Sequence, residues 1–240
     1  MEALVNKIIP FSSVDGPGNR TAIFLQGCNM NCRYCHNPET RDKNWDSDLC
    51  QVELMDEDAV LEQIKKQIPF ISGITVSGGE CMLWPEFLTA LFLKVKKLGL
   101  TTLIDSNGSV DFRKYPELLA CTDGVMLDIK AFDNEIHQRI TGVSNEMVLF
   151  NARYLAEKEK LLEVRCVISP SLYDGVEQVN KAGEYLRDLY RPGTFHFKLI
   201  SYRPQGVREE YAHELTPGTD YMSKIANILK NIGYEDTIIV

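Results

Sequence analysis

The 240-residue sequence has no run of about 20 apolar residues, the length a membrane-spanning helix requires. Its richest stretch, Phe87 to Val95, is broken by Thr89 and Lys94, so no membrane partner is expected. Met1 to Lys7 lacks a basic segment followed by an apolar one, and no secretory signal is expected. Cations are also scarce, with 26 Lys and Arg against 34 Asp and Glu, a formal charge of −8. A broad nucleic-acid footprint needs clustered Lys and Arg, and the balance argues against one. Nor is there a disulfide framework. Seven cysteines is an odd number; three share one loop, while Cys50, Cys81, Cys121 and Cys166 stand singly. That distribution fits a reducing compartment, so a cytoplasmic location is expected. No repeat, low-complexity tract or linker divides the chain, and a single domain over 1–240 is expected.

What is present is concentrated in Gly27-Cys28-Asn29-Met30-Asn31-Cys32-Arg33-Tyr34-Cys35-His36-Asn37, where three cysteines follow the spacing C-x3-C-x2-C. Thiolates this close reach one inorganic site without help from distant chain. Soft sulfur selects zinc, copper(I) or iron–sulfur clusters. Closed zinc sites take four protein ligands, and electron-transfer 4Fe–4S clusters normally take four cysteines. The loop offers three, so the simplest reading is a cubane with one iron left open to a substrate or cofactor. An open metal position marks chemistry rather than scaffolding. The competing reading makes His36 a fourth ligand in a Cys3His zinc site, although no second ligand pair follows at finger-like spacing.

Apolar patterning predicts strands at Val5–Phe11, Thr21–Gln26, Ile71–Ser77, Thr101–Ile104, Gly124–Ile129, Leu162–Ile168 and Phe195–Ile200, with an edge strand at Thr237–Val240. Helices are predicted at Asp56–Ile68, Pro85–Leu98, Asp133–Ile140, Met147–Lys158, Gly175–Leu189 and Tyr221–Asn231, while Arg41 to Cys50 is polar and irregular. Six strands alternating with helices from Thr21 onward imply an α/β fold with a parallel sheet and right-handed crossovers. The cysteine loop leaves the carboxyl end of the first of these, where α/β proteins carry functional loops. Other strand ends carry Ser77-Gly78-Gly79-Glu80, Asp105-Ser106-Asn107-Gly108 and Asp128-Ile129-Lys130. Each has a plain reading too. Gly-Gly, Asn-Gly and Asp15-Gly16-Pro17-Gly18 are turn formers, Lys130 can pair with Asp128, and His137 reads as a surface or packing residue.

The cysteine spacing, with Tyr34 before the third cysteine, resembles the cluster loop of the radical S-adenosylmethionine (SAM) enzymes. The longer string through Tyr34-Cys35-His36-Asn37-Pro38 resembles their glycyl-radical-enzyme activating enzymes. The likeness runs from Asp15 to about Arg165 and more loosely beyond. It implies a partial (β/α)6 barrel of the radical SAM type, with Cys28, Cys32 and Cys35 holding one 4Fe–4S cluster. No paired cysteines follow Cys35, so the single-cluster form is expected. SAM would chelate the open iron. The backbone around Tyr34 and His36 would lie near its adenine, and Gly78, Gly79 and Glu80 would receive its amino group. Lys130, with Asp128 and Ile129, would orient it, and Arg165 would pair with its carboxylate. Asp105, Ser106, Met126 and Asp128 match positions that hold a monovalent cation, and Asp15 matches one near the docked partner. Arg203 stands where the family's best-known member has a SAM-contacting His. The implied activity is reductive cleavage of SAM to methionine and 5′-deoxyadenosine, with hydrogen abstraction from a glycine of a glycyl radical enzyme. Flavodoxin or ferredoxin would donate the electron, and the protein would be a monomer.

Two other readings stay open: a radical SAM enzyme acting on a small molecule, and a non-enzymatic zinc or iron–sulfur module.

Overall fold

The computed structural model describes residues 1–42 and 52–240, which form two compact units. Cys50 and most of the stretch expected to be irregular lie outside the described residues. The first unit comprises Met1–Asn29, Glu39–Ser106 and Val110–Met126; the second comprises Met30–Pro38, Asn107–Ser109 and Leu127–Val240.

The first unit contains β1 (Glu2–Ser12), β2 (Arg20–Leu25), β3 (Glu53–Asp56), α1 (Glu57–Lys65), β4 (Gly73–Gly78), α2 (Pro85–Lys96), β5 (Thr101–Ser106), α3 (Pro116–Cys121) and the start of β6 (Gly124–Asp128). Its strand order is β3-β1-β2-β4-β5-β6. β2, β4 and β5 are parallel, with Ile23 opposite Val76 and Val76 opposite Ile104, whereas β1 is antiparallel to both its neighbours. Residues Thr21, Ala22 and Ile23 are buried in succession, as expected for a strand covered on both faces. α1 starts where the Asp56 side chain accepts the Ala59 N–H at 2.8 Å, satisfying a donor the helix leaves open. α2 has Pro85 in its first turn and buries Phe87, Leu88, Leu91, Phe92 and Val95 at helical spacing.

The second unit contains the end of β6, α4 (Asn134–Thr141), α5 (Glu146–Glu157), β7 (Leu161–Ile168), α6 (Gly175–Leu186), β8 (His196–Ser201), α7 (Thr219–Ile232) and β9 (Thr237–Ile239). Its strand order is β6-β7-β8-β9, with β7, β8 and β9 parallel. Tyr190, Phe195, Phe197 and Tyr234 form an aromatic cluster with centroids 4.5 to 6.1 Å apart, and the Tyr234 hydroxyl donates to the Gly183 carbonyl at 2.8 Å.

The α/β class and the six alternating strands (β2, β4, β5, β6, β7, β8) are as expected. β3 and α3 were not anticipated. Among the described residues no helix is long and apolar enough to cross a membrane.

Candidate functional site

Cys28 belongs to the first unit, Cys32 and Cys35 to the second. Cys32 is buried, and Cys28 and Cys35 are half-buried. Alternate backbone amides of the loop are tied down: Asn31 N–H donates to the Thr141 carbonyl (2.8 Å) and Arg33 N–H to the Ile140 carbonyl (3.0 Å). Those carbonyls end α4, where a helix leaves acceptors unsatisfied, so loop and helix terminus complete each other. His137 on α4 is fully buried, the packing rather than the surface alternative, and its Nδ1 bonds the Val143 carbonyl at 2.9 Å. Burial lowers its pKa.

Tyr34, between Cys32 and Cys35, is 2% exposed. Lys130 Nζ lies 5.6 Å from its ring centre, an attractive cation–π arrangement. The same ammonium bonds Asp128 Oδ2 at 2.7 Å. Burial pulls the Lys130 ammonium down, but Asp128 and the sulfurs of Cys32 and Cys35 outweigh it, and its pKa is raised. Burial and the neighbouring sulfurs and Asp128 push Tyr34 well above the ordinary phenol value. Lys130 is therefore a fixed cation, held by Asp128 over the ring of Tyr34.

His36 is exposed, and its Nε2 lies 3.0 Å from the Arg203 carbonyl. A carbonyl only accepts, so Nε2 carries the proton and only Nδ1 is left for a metal. Arg203 thus meets the cysteine loop through its backbone, while its side chain is exposed.

Arg165, on β7, is 9% exposed, and its Nε donates to Glu163 Oε1. Glu163 also meets His196 Nε2 at 3.0 Å and Lys198 Nζ at 3.8 Å. Burial would raise the Glu163 carboxyl, but His196, Arg165 and Lys198 hold it down at about 2. One acid among three basic side chains leaves cationic character on this part of β7 and β8. Glu163 was missed from sequence, although its i, i+2 spacing from Arg165 puts both on one strand face.

In the first unit, Gly78 has φ +115°, and a Cβ there would collide with the Leu25 backbone; one on Gly79 would strike the Gly27 carbonyl. Glycine is required because two strand ends approach this closely. Glu80 N–H donates to the Gly27 carbonyl at 2.8 Å. The Glu80 side chain is buried, accepting from Ser106 Oγ (2.8 Å) and Met82 N–H (3.0 Å). Asp105 accepts from Ser77 Oγ at 2.9 Å. The GGE turn and the end of β5 therefore form one polar cluster. Cys81 beside it is buried, and burial, Glu80 and Asp105 push its thiol well up, as expected of an inert structural cysteine.

Asp15 accepts from Ser12 Oγ, and its carbonyl accepts from Thr75 Oγ1. Buried Arg20 fixes this turn, donating to Thr75 Oγ1 (2.9 Å), the Pro17 carbonyl (3.1 Å), the Ile74 carbonyl (2.6 Å) and Thr101.

The donor set fits an iron–sulfur cluster: three soft sulfurs in a loop pinned by a helix end, with no carboxylate competing at that spacing. Among the described residues, no three His, Cys, Asp or Glu side chains already encircle one point. The proposed cation ligands are likewise engaged: Asp105 by Ser77, Ser106 by Glu80 and Asp128 by Lys130.

Comparison with known proteins agrees with this chemistry. Residues 22–170 match the family model of the radical SAM superfamily. The chain is 38% identical to a pyruvate formate-lyase-activating enzyme of Streptococcus mutans, covering 85% of this chain and 78% of that one. It is 35% identical to a pyruvate formate-lyase 1-activating enzyme of Escherichia coli, covering 97% and 98%. The crystal structure of QueE from Escherichia coli shares the fold, with a TM-score of 0.63 at 16% identity over 100% of this chain and 94% of that one. The chain belongs to the radical SAM superfamily, in its family of glycyl-radical-enzyme activating enzymes.

Proposed function

We propose that this protein activates a glycyl radical enzyme by removing a hydrogen atom from one of its glycines. The observation that carries the reading is the loop of three cysteines pinned to the end of α4, with Lys130 held by Asp128 over the ring of Tyr34, the residue before Cys35. Cys28, Cys32 and Cys35 would hold three irons of one 4Fe–4S cluster. When bound, the cluster and SAM supply reductive cleavage to methionine and 5′-deoxyadenosine, with the hydrogen taken from the partner's glycine.

The chain's own residues bind, orient and shield. Lys130 and Arg165 offer cations for a carboxylate. Gly78 and Gly79 bare the backbone for a close ligand, and Glu80 offers an anion for an ammonium. Asp128 and Ile129 shape the end of β6. Tyr34 excludes water beside the loop, and the backbone near His36 would meet the adenine. Arg203 would contact the ligand from the segment after β8. Asp105, Ser106, Met126 and Asp128 would hold a monovalent cation, for which two carboxylates at strand ends supply the charge. Asp15, fixed by Arg20 and Thr75, would meet the partner's glycine loop. A flavodoxin or ferredoxin donor, a cytoplasmic location, a monomeric state and a single catalytic domain over 1–240 complete the proposal.

The test is anaerobic incubation with SAM, reductant and a candidate partner such as pyruvate formate-lyase. A glycyl-radical doublet in the partner's electron paramagnetic resonance spectrum is expected. Cleavage of SAM without any partner radical, across the glycyl radical enzymes encoded beside the chain's gene, would favour a small-molecule substrate.

A further inference from the structure

No role above uses most of the segment after β8. It lies against the cysteine loop at several points. Arg208 Nη2 donates to the Cys32 carbonyl at 3.2 Å, an acceptor that also takes the Cys35 N–H at 3.3 Å. Gly206 has φ +82°, and a Cβ there would sit 3.0 Å from the His36 carbonyl. The Arg203 carbonyl takes His36 Nε2 at 3.0 Å. The Arg208 guanidinium packs 4.7 Å from the centre of the Tyr211 ring, and Arg33 of the loop approaches the same ring at 5.5 Å. Buried Tyr202 closes the segment on itself, its hydroxyl donating to the Tyr211 carbonyl at 2.7 Å. Arg208 Nη1 pairs with Glu210 at 2.9 Å, while its Nε is buried without a hydrogen-bond partner among the described residues.

We propose that residues 202–211 form a strap over Cys32 to His36 of the cysteine loop, and that Arg208 is the positioning residue that fixes Cys32 and places a positive charge near it. A planar guanidinium presents a rigid fork and a flat face together, whereas a lysine ammonium keeps the charge but not the fork. Groups behind the ligands of a metal site set both retention and potential. For iron–sulfur clusters, net charge and hydrogen bonding are among the determinants of potential. The strap therefore has two separable effects, one mechanical and one electrostatic.

The inference rests on the cluster reading, and the test separates the two. Wild-type protein, Arg208→Gln, Arg208→Lys and Tyr211→Leu are reconstituted anaerobically with iron and sulfide, with circular dichroism melts confirming that each folds. Arg208→Gln is expected to lose iron to a chelator roughly tenfold faster and to show a more negative cluster midpoint in a redox titration without SAM. Arg208→Lys should keep the midpoint near wild type while losing iron faster, because charge remains and the fork does not. Tyr211→Leu should lose iron faster with little change in midpoint, and it serves in place of Arg208→Gln should that variant not fold. In apo-protein, amide exchange across residues 30–36 should quicken in both Arg208→Gln and Tyr211→Leu. A wild-type protein that builds a cluster, with folded variants matching it in iron loss, midpoint and exchange, overturns the strap alone. A wild-type protein that builds no iron–sulfur cluster overturns the functional reading and the strap with it.

Discussion

Lys130 and Asp128 close β6 as an ion pair, Nζ to Oδ2 2.7 Å, with only 13% and 20% of their side chains exposed. Removing the cation leaves a half-buried carboxylate without its partner. Lys130→Ala is expected to cost about 1–3 kcal/mol of stability in urea unfolding. It should also weaken SAM binding by at least tenfold in equilibrium dialysis, roughly the worth of one charge-assisted hydrogen bond. Lys130→Met, apolar but of similar length, separates packing from charge: binding should stay weak even where stability recovers.

Glu163 carries a pH prediction. Its folded pKa of about 2 lies below the ordinary 4.5. A depressed acid stabilises the fold above its unfolded pKa, and that contribution is lost as pH falls through the folded value. The wild type should therefore lose about 3 kcal/mol between roughly pH 4.5 and 2 from this one group. Glu163→Gln should be less stable at pH 7 and show a flatter stability profile across that window. Unfolding midpoints measured at half-unit pH steps check it.

Arg20 holds the Asp15 turn through a fork that lysine cannot reproduce. Burial lowers its pKa to about 10, Asp123 opposing the shift, so it remains charged at neutral pH. Arg20→Lys is expected to destabilise the protein by about 2–3 kcal/mol through stranded buried acceptors. Partner activation should fall more than SAM cleavage, measured by the glycyl-radical doublet and by chromatography of 5′-deoxyadenosine. Equal losses would remove the turn from partner recognition.

Most of the fold was legible because its signals are local. Fully apolar strands such as β2 and the helical stripe of α2 announce themselves in a few residues. β3 did not, since Glu53 to Asp56 is largely exposed, lacks alternation and exists through pairing with β1, some fifty residues away. α3 spans six residues, too few for periodicity, and Pro116 was its one overlooked start signal. The cysteine loop was readable from residue type and spacing, while the GGE turn and Lys130 were singled out by resemblance to the family. What pins them was not. The Ile140 and Thr141 carbonyls, the Glu80–Ser106 bond and Arg208 on Cys32 are long-range contacts of backbone or irregular chain. Arg203 illustrates the limit: its position pointed to a ligand contact, but nothing in the sequence pointed to the hydrogen bond between its carbonyl and His36 Nε2.

Cys81 and Cys166, outside the loop, should be chemically quiet. Burial raises the Cys166 thiol to about 12 despite Lys130 nearby, and burial raises Cys81 well above its ordinary value. Both remain protonated at pH 8, and thiols react through the thiolate. Iodoacetamide on folded apo-protein should modify half-buried Cys28 and Cys35 well before Cys81 or Cys166, as read by peptide mass spectrometry. Cys81→Ala should retain cluster assembly, and loss of the cluster in that variant would give Cys81 a role it is denied here.

The central claim is that three sulfurs leave one iron of a single cluster open. Mössbauer spectroscopy of anaerobically reconstituted, iron-57-labelled protein, with and without SAM, tests it most directly. The account predicts about four irons per chain in one cubane, with a single iron changing its parameters when SAM is added and no such cluster in Cys32→Ala. Four irons all unmoved by SAM, or one zinc and no cluster, would contradict it.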